Sequence, residues 1–149
     1  MRLPIQIETI IFRRNKDKIE YLLLKRKAEK GGFWQPISGG LRDTESIPLC
    51  MNRESKEEIG VDKFIRIVEN VHFFQFDEFN TYRKNMKVYI SEFVFGAEVS
   101  MDTQVNINAN PDKEHEEFKW CDFNEAIKLL KWDHNKEALT KLNEILLNE

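Results

Sequence analysis

The sequence predicts an α/β (α+β) fold in which helices cover a sheet. Apolar residues alternate from Ile5 to Ile11, as they do in a strand with one buried face. A helix with recognisable ends is indicated over Ser46 to Ile59. A closing amphipathic helix is indicated by apolar residues at helical spacing, namely Ala138, Leu139, Leu142, Ile145 and Leu146. A chain of 149 residues suits one hydrophobic core, so we expect residues 1–149 to form a single domain.

The N-terminal segment predicts a hairpin. A polar turn over Arg13 to Lys18 follows the first strand, and a second strand covers Tyr21 to Leu24. A loop over Ala28 to Gly32 precedes a short apolar stretch that Pro36 interrupts. The two strands are therefore expected to pair antiparallel.

The central helix has both of its end signals. Ser46 is a suitable N-cap residue, and Pro48 falls in the first turn, where a missing backbone N–H does little harm. Gly60 can adopt the left-handed conformation that ends a helix. The helix is therefore expected to end at Ile59.

The C-terminal half alternates strands with connections. Strands are predicted where β-branched and aromatic residues concentrate, over Phe64–Val68, Val71–Phe76, Met86–Phe95 and Glu116–Cys121. Connections are predicted over Glu78–Asn85 and Gly96–Lys113. Asp122 and Glu125 form a capping pair for a helix over Phe123 to Lys131.

Composition excludes several classes of protein. The net charge of −3 argues against a dedicated nucleic-acid binder, and no run of about 18 apolar residues predicts a membrane span. Cys50 and Cys121 have no metal-ligand spacing and are too few for a disulfide framework, so both are expected in the core. A reducing cytoplasm is the expected location.

The central helix carries a stripe whose character changes along its length. Ile47, Cys50 and Met51 share one face, and the same face continues into three carboxylates within an arc of roughly 120°. These carboxylates are Glu54, Glu57 and Glu58. Partly buried like charges repel, and a divalent cation would relieve that repulsion. An all-oxygen ligand set favours Mg²⁺ or Mn²⁺ over Zn²⁺.

The same residues complete a longer motif. Gly39 is followed after five residues by Glu45, and after seven more by the run from Arg53 to Val61. This spacing resembles the Nudix box, and only Ser55 departs from it, at a position where an aliphatic residue is usual. The resemblance implies an α/β/α sandwich with a mixed sheet, in which the box forms a loop–helix–loop.

The resemblance also implies roles for the residues of the box. Glu54 and Glu57 would be metal ligands or catalytic water activators, and Glu58 a further metal ligand. Arg53 would act in catalysis by orienting a carboxylate, with Glu45 as its candidate partner. The Gly39 backbone would approach the metal closely, where a side chain could block it.

Two flanking segments are more specific. The segments Phe33 to Gly39 and Glu114 to Trp120 are similar to those of bacterial Nudix enzymes that hydrolyse dATP or dihydroneopterin triphosphate. In that group a Glu just before a His supplies a further metal ligand or base, which indicates Glu114. From the sequence alone, Glu116 and Glu117 remain alternatives.

Cationic and aromatic residues near the motif are candidates for substrate contacts. Arg26 either meets phosphates or lies in solvent at a strand end, and Arg83 and Lys84 could reach a substrate tail. Trp34 could stack on a base or pterin ring, with core packing as the alternative. Glu45 is included among the substrate-binding candidates. His72 and His115 are expected to be structural.

The predicted activity is Mg²⁺-dependent or Mn²⁺-dependent hydrolysis of a pyrophosphate bond in a nucleoside or pterin triphosphate, releasing monophosphate and pyrophosphate. The alternatives are hydrolysis of dinucleoside polyphosphates or nucleotide sugars, and a non-catalytic nucleotide sensor. The expected partner is a small nucleoside or pterin polyphosphate, with no nucleic acid and no membrane. The chain is expected to be a monomer or a homodimer, since an open sheet offers free edges.

Overall fold

The computed structural model describes residues 2–80, 86–110 and 112–149. These residues form seven strands and three α-helices, with short 3₁₀ turns at Ala28–Lys30 and Ile107–Ala109. The strands are β1 (Arg2–Asn15), β2 (Lys18–Arg26), β3 (Trp34–Gln35), β4 (Ile37–Arg42), β5 (Arg66–Asn80), β6 (Met86–Glu98) and β7 (His115–Cys121). The helices are α1 (Ile47–Ile59), α2 (Phe123–Leu129) and α3 (Asp133–Leu147).

Strand β1 is the centre of one mixed sheet. It pairs parallel with β6, and β6 pairs antiparallel with β5. On its other edge β1 pairs antiparallel with β2 near its C-terminus and with β4 nearer its N-terminus. Strand β2 in turn pairs with β3 and with β7. The predicted hairpin and mixed sheet are both present.

Helices cover both faces of this sheet. Ile10 and Phe12 of β1 join a core cluster with α2 and α3, whereas Ile7 and Ile11 join clusters that include residues of α1. The side chains of β2 divide in the same way, because successive residues of a strand point to opposite faces. The expected α/β/α sandwich is therefore observed.

Helix α1 begins and ends where its signals indicate. The Ser46 hydroxyl accepts a hydrogen bond from the Leu49 backbone N–H at 3.4 Å, and Pro48 lies in the first turn. Gly60 ends the helix with φ of 72°, and its N–H bonds back to the last turn. The sequence thus fixes the position of the Glu-bearing helix locally.

Several predicted boundaries were wrong. The turn placed at Arg13–Lys18 is narrower, because β1 extends to Asn15 and reverses at Lys16, whose φ is 60°. The two strands predicted over 64–76 are one strand, β5, with a register shift around Asn70 at φ 57°. Strand β6 runs to Glu98, so the following connection is shorter than predicted.

Helix α2 is also shorter than expected. It ends at Leu129 instead of Lys131, because Leu130 adopts an extended conformation and bridges to Trp34. The predicted cap is present, since an Asp122 carboxylate oxygen accepts from the Glu125 N–H at 2.8 Å. Helix α3 follows at Asp133 and packs on α2 and β5.

The sheet opens into a wedge beside β1. Strand β2 leaves β1 after Tyr21 and pairs with β3, whereas β4 takes over the same edge of β1 from Thr9 towards Arg2. Pro36 separates β3 from β4. The wedge therefore brings residues of six chain segments close together, as described below.

The remaining expectations concern cysteines and membrane segments. Cys50 and Cys121 are both free and buried, and burial raises the pKa of each thiol to about 12. Neither thiol is therefore a ready nucleophile. Among the residues that the structure describes, no helix is long and apolar enough to cross a membrane.

Candidate active site

The three carboxylates of helix α1 are buried to different extents. The residue Glu58 is 5% exposed, and the side chains of Glu54 and Glu57 are 12% and 43% exposed. The buried stripe continues through Ser55 and Ile59, so Glu57 lies at its rim. Glu54 and Glu58 are thus largely enclosed, and Glu57 is the most exposed of the three carboxylates.

Gly39 of β4 lies against Glu54. A Cβ added to Gly39 would overlap Cδ, Cγ and Oε1 of the Glu54 side chain. The requirement for glycine here comes from this close approach, since the backbone at Gly39 has no positive φ. The strand and the helix therefore meet at the Glu54 carboxylate.

Arg53 connects Glu54 to the loop before the helix. Its Nε and Nη2 donate to the two Glu45 oxygens at 2.5 and 2.8 Å, and its Nη1 donates to Glu54 Oε1 at 2.6 Å. Nη2 also donates to the Gly40 carbonyl at 3.0 Å. A planar guanidinium held on both edges fixes Glu54 in position relative to β4.

These contacts shift the carboxyl pKa values in opposite directions. The hydrogen bonds from Arg53 lower the pKa of Glu45 to about 2. Burial raises the pKa of Glu54 to about 6, although the hydrogen bond from Arg53 opposes this shift. Glu57 and Glu58 raise it further by charge repulsion. Glu45 is therefore a fixed anion, and Glu54 is a carboxylate that can take up a proton near neutral pH.

A second group of ligand atoms lies at the end of β7. Glu58, Glu114 and His115 each offer one atom, and all three atoms lie within 4.8 Å of one another. His115 Nδ1 is 2.7 Å from Glu58 Oε2, and His115 Nε2 is 3.1 Å from the side-chain nitrogen of Gln35. The short strand β3 therefore supports the histidine from behind.

The donor atoms of this group fit a bound cation. Glu58 Oε2 and His115 Nδ1 are buried, and despite their short separation they are not aligned for a hydrogen bond. Both atoms therefore lack a hydrogen-bond partner among the described residues, which is costly in a buried site. Carboxylate oxygens dominate the set, and oxygen ligands favour Mg²⁺ or Mn²⁺.

The alternatives Glu114, Glu116 and Glu117 can be distinguished by position. Glu114 lies in the group with Glu58 and His115 that could hold a metal ion, whereas Glu116 forms an exposed ion pair with Lys25 at 3.4 Å. Glu117 is exposed on β7. Of the three alternatives, the structure brings Glu114 to Glu58.

A pocket of about 440 Å³ lies at the wedge in the sheet. It is polar, and its walls carry both carboxylates and guanidiniums. The lining residues are Gln6, Arg26, Gln35, Ser38, Gly39, Gly40, Arg42, Arg53, Glu54 and Glu114. Arg26 also donates to the Lys30 carbonyl at 3.2 Å, which holds it at the pocket wall.

Other sequence candidates lie elsewhere. Trp34 is half-buried and packs against the core cluster of α2 and α3. Glu45 lies behind Arg53 and is absent from the pocket lining. Arg83 and Lys84 lie outside the described residues, so their predicted contact with a substrate tail stays a prediction.

His115 and Gln35 lie at the candidate site, although neither was among the predicted site residues. His115 was expected to be structural, yet it lies between Glu58 and Gln35. Its position directly after Glu114 was the available signal, because a bend at the start of a strand can bring neighbouring residues to one ligand. Gln35 gave no such signal, since its contact depends on the pairing of β3 with β2.

The chain is similar to known proteins both in sequence and in fold. A NUDIX domain model matches residues 5–142. A structure described as a NUDIX hydrolase from Listeria monocytogenes superposes with a TM-score of 0.82 at 28% identity, covering 98% of this chain and 96% of that one. The likeness thus extends over nearly the whole of both chains.

Three curated relatives are similar over most of this chain. The bis(5'-nucleosyl)-tetraphosphatase [asymmetrical] of Caenorhabditis elegans is 27% identical over 138 residues, 92% of each chain. The dihydroneopterin triphosphate diphosphatase of Escherichia coli (strain K12) is 24% identical over 142 residues, 91% of this chain and 89% of the relative. An octanoyltransferase of Myxococcus xanthus is 29% identical over 120 residues, 80% of this chain, but the match spans only 31% of that longer protein.

Proposed function

Because a NUDIX domain model matches residues 5–142, the chain belongs to the NUDIX family, and we propose that it hydrolyses a pyrophosphate bond in a nucleoside or pterin triphosphate. The products would be the monophosphate and pyrophosphate. The family and its relatives named as phosphatases make the chain a hydrolase of phosphoric anhydride bonds. The triphosphate substrate is our proposal.

One observation supports this function above the others. The pocket combines a carboxylate group suited to a divalent cation with guanidiniums suited to an anion. Glu54 and Glu114 lie on its wall together with Arg26 and Arg42. A polyphosphate chelated to Mg²⁺ or Mn²⁺ presents both charges at once, so this mixture of groups matches such a ligand.

The residues of the pocket have different roles in the proposed reaction. Arg26 and Arg42 bind and orient phosphate oxygens, since a guanidinium matches phosphate geometry. Arg53 is occupied by Glu45 and Glu54, so it positions a carboxylate instead of binding substrate. Gly39 leaves room for Glu54 beside the strand.

Hydrolysis adds water across a P–O bond. The water oxygen bonds to phosphorus, the bridging oxygen leaves with pyrophosphate, and one proton must be accepted. Glu54, with a pKa of about 6, is ionised at slightly alkaline pH and is suited to accept that proton. Glu57, at the rim of the stripe, is the alternative base. A divalent cation held by Glu58, Glu114 and His115 would neutralise phosphate charge when bound.

A second candidate is hydrolysis of a dinucleoside polyphosphate. It is favoured by the Caenorhabditis elegans relative, whose identity and coverage match those of the dihydroneopterin triphosphate relative. Both reactions use the same anhydride chemistry. They differ in whether a second nucleoside must fit beyond the phosphates.

A substrate panel tests the proposal. The purified chain would be incubated with Mg²⁺ or Mn²⁺ and the four dNTPs, dihydroneopterin triphosphate, ADP-ribose and diadenosine tetraphosphate. Products would be separated by anion exchange and pyrophosphate would be quantified. We expect one triphosphate to yield a monophosphate and stoichiometric pyrophosphate.

Two variants and a control make the panel specific. Glu54→Gln and Glu57→Gln should each lower kcat by at least about 100-fold, as expected when a catalytic carboxylate is neutralised. Glu69→Gln, which changes an exposed carboxylate on β5 outside the motif, should leave kcat unchanged. If only diadenosine tetraphosphate were hydrolysed, the second candidate function would replace the first. If no compound were hydrolysed, both would be refuted.

A further inference from the structure

The imidazole of His115, at the start of β7, lies between two side chains of different chemistry. Its Nδ1 atom is 2.7 Å from Glu58 Oε2 on α1, and its Nε2 atom is 3.1 Å from the side-chain nitrogen of Gln35 on β3. The imidazole side chain is only 3% exposed. Because so little of the ring meets solvent, these two neighbours decide which ring nitrogen carries the proton.

The Nδ1 atom of His115 is buried beside other potential metal ligands. Within the part of the chain that the structure describes, neither this atom nor Glu58 Oε2 has a hydrogen-bond partner. Buried polar atoms without partners are rare and costly, so such a pair indicates a ligand that satisfies both. With Glu114, these atoms lie within 4.8 Å of one another. The group therefore offers a cation one nitrogen and two carboxylate oxygens.

The nitrogen can bind a cation only in one tautomer of the ring. A neutral imidazole carries a proton on one nitrogen and a lone pair on the other, so Nδ1 is a ligand only when Nε2 holds the proton. In the structure the Gln35 amide nitrogen faces Nε2 and donates to it, which leaves the ring proton on Nδ1 beside Glu58. Half a turn of the Gln35 amide presents its oxygen instead, and this oxygen accepts from a protonated Nε2.

A glutamine is suited to both tautomers because its amide has a donor and an acceptor, whereas a carboxylate or a backbone carbonyl only accepts. The backbone of Gln35 does not need to move. It pairs with Leu24 of β2, and the preceding residue, Trp34, bridges to Leu130. Gln35 also lines the pocket, so water can carry the proton from one ring nitrogen to the other. Only the terminal amide has to turn.

We propose that Gln35 positions His115 as a nitrogen ligand of the cation, and that this nitrogen makes the site prefer Mn²⁺ to Mg²⁺. The inference rests on the proposed function, because the cation is the one that would serve hydrolysis. Imidazole suits first-row transition metals, whereas Mg²⁺ prefers oxygen ligands and retains water. A histidine that binds a metal donates its other N–H to a partner that fixes the tautomer, and Gln35 is that partner. Nδ1 gives one proton to water and Nε2 takes one, so the ring stays neutral.

Metal affinities test the role of Gln35. Calorimetric titrations with Mn²⁺ and with Mg²⁺, without substrate, would compare the wild-type chain with Gln35→Met and Gln35→Glu. Methionine is similar in length but cannot fix the tautomer, so we expect Gln35→Met to weaken Mn²⁺ binding by about 10- to 100-fold and Mg²⁺ binding by less. Gln35→Glu restores an acceptor for Nε2–H. Its charge strengthens the binding of both cations, and the ratio of the Mn²⁺ and Mg²⁺ affinities should stay at or above that of the wild type.

A matched control separates this role from a general effect on structure. Gln75→Met makes the same change at an exposed glutamine of β5, whose amide donates to Ser91, and should leave both affinities unchanged. If Gln35 only packed against its neighbours, Gln35→Met would weaken Mn²⁺ and Mg²⁺ binding equally and Gln35→Glu would not restore the ratio. Either result would overturn the proposal.

Pulsed electron paramagnetic resonance of the Mn²⁺-loaded chain detects a coordinated nitrogen directly. We expect nitrogen coupling in the wild type and in Gln35→Glu, a weaker signal in Gln35→Met, and none in His115→Gln. The absence of coupling in the wild type, or coupling that persists in His115→Gln, would overturn the assignment.

These measurements separate this inference from the proposed function because neither requires turnover. If the nitrogen coupling depended on His115 but no compound of the substrate panel were hydrolysed, the proposed function would fail and the assignment of the nitrogen ligand would stand. If a triphosphate were hydrolysed while the wild type showed no nitrogen coupling, the proposed function would stand and this inference would fail.

Discussion

The backbone of Gly39 lies so close to the Glu54 carboxylate that only glycine fits at residue 39. A methyl group at residue 39 would overlap the carboxylate of Glu54. Arg53 holds the same carboxylate from the other side at 2.6 Å. Glu54 therefore lies between a strand backbone and a guanidinium, and these two contacts hold its carboxylate in position at the pocket wall.

Gly39→Ala should displace Glu54 while leaving the fold intact. The backbone at residue 39 tolerates alanine because its φ is not positive, so the methyl group moves the Glu54 side chain instead. Displacement of about 1 Å in a catalytic group costs on the order of 100-fold in rate. We expect kcat/KM for the best triphosphate to fall by about that factor, with a thermal midpoint within a few degrees of wild type. Unchanged kcat/KM would show that the Glu54 position does not limit the reaction.

Helix α1 and its motif could be predicted because their signals are local. Ser46 and Gly60 lie at the ends of the helix, and the apolar-to-acidic stripe follows from residue spacing alone. Most predictions that were wrong concern strands, because the limits of a strand depend on its pairing with other strands. The register shift at Asn70 keeps two predicted strands in one ladder, and it depends on how β5 meets β6.

The burial of Glu8 and Glu92 on the sheet could not be predicted for a similar reason. Alternation of Ile5, Ile7 and Ile11 indicates one buried face of β1, which leaves Glu8 on the other. Both faces are in fact covered, so Glu8 is buried by α3. Nothing in the spacing of Glu8 and Glu92 along the chain indicates that parallel pairing of β1 with β6 brings them together.

Glu45 should stabilise the protein in a pH-dependent way. Its folded pKa is lowered to about 2 from an ordinary value of 4.5, so its contribution is present above pH 4.5 and is lost as pH falls towards 2. Glu45→Gln should therefore lower the urea midpoint at pH 7, and the difference from wild type should shrink between pH 4.5 and pH 2. Glu69→Gln, at an exposed position, should show no such trend. A pH-independent difference would mean that Glu45 acts through packing and not through its charge.

Ser55→Ala should stabilise helix α1. Ser55 is fully buried, and its hydroxyl has no hydrogen-bond partner among the described residues. Removing an unsatisfied buried hydroxyl gains about 1 kcal/mol, and alanine is also the better helix former. Ser46→Ala is the matched contrast, because it removes the N-cap hydrogen bond and should cost about 1 kcal/mol. Urea unfolding of both variants checks the opposite signs, and a destabilised Ser55→Ala would mean that its hydroxyl is satisfied in solution.

Added Mg²⁺ or Mn²⁺ should stabilise the folded chain through Glu58. Ligands that bind only the folded state stabilise it by about 2.7 kcal/mol at 100 times their Kd, which corresponds to roughly 5–10 °C for a chain of this size. The variant Glu58→Gln should lose most of this rise in melting temperature, because the Glu58 carboxylate lies in the group with Glu114 and His115. Glu116→Gln should retain it, since Glu116 is exposed and paired with Lys25. Calorimetric melts with excess metal and with EDTA measure the increment directly. If metal raised the melting temperature of both variants equally, the cation would bind elsewhere in the protein. If only Glu116→Gln lost this rise, Glu116 and not Glu114 would be the further metal ligand.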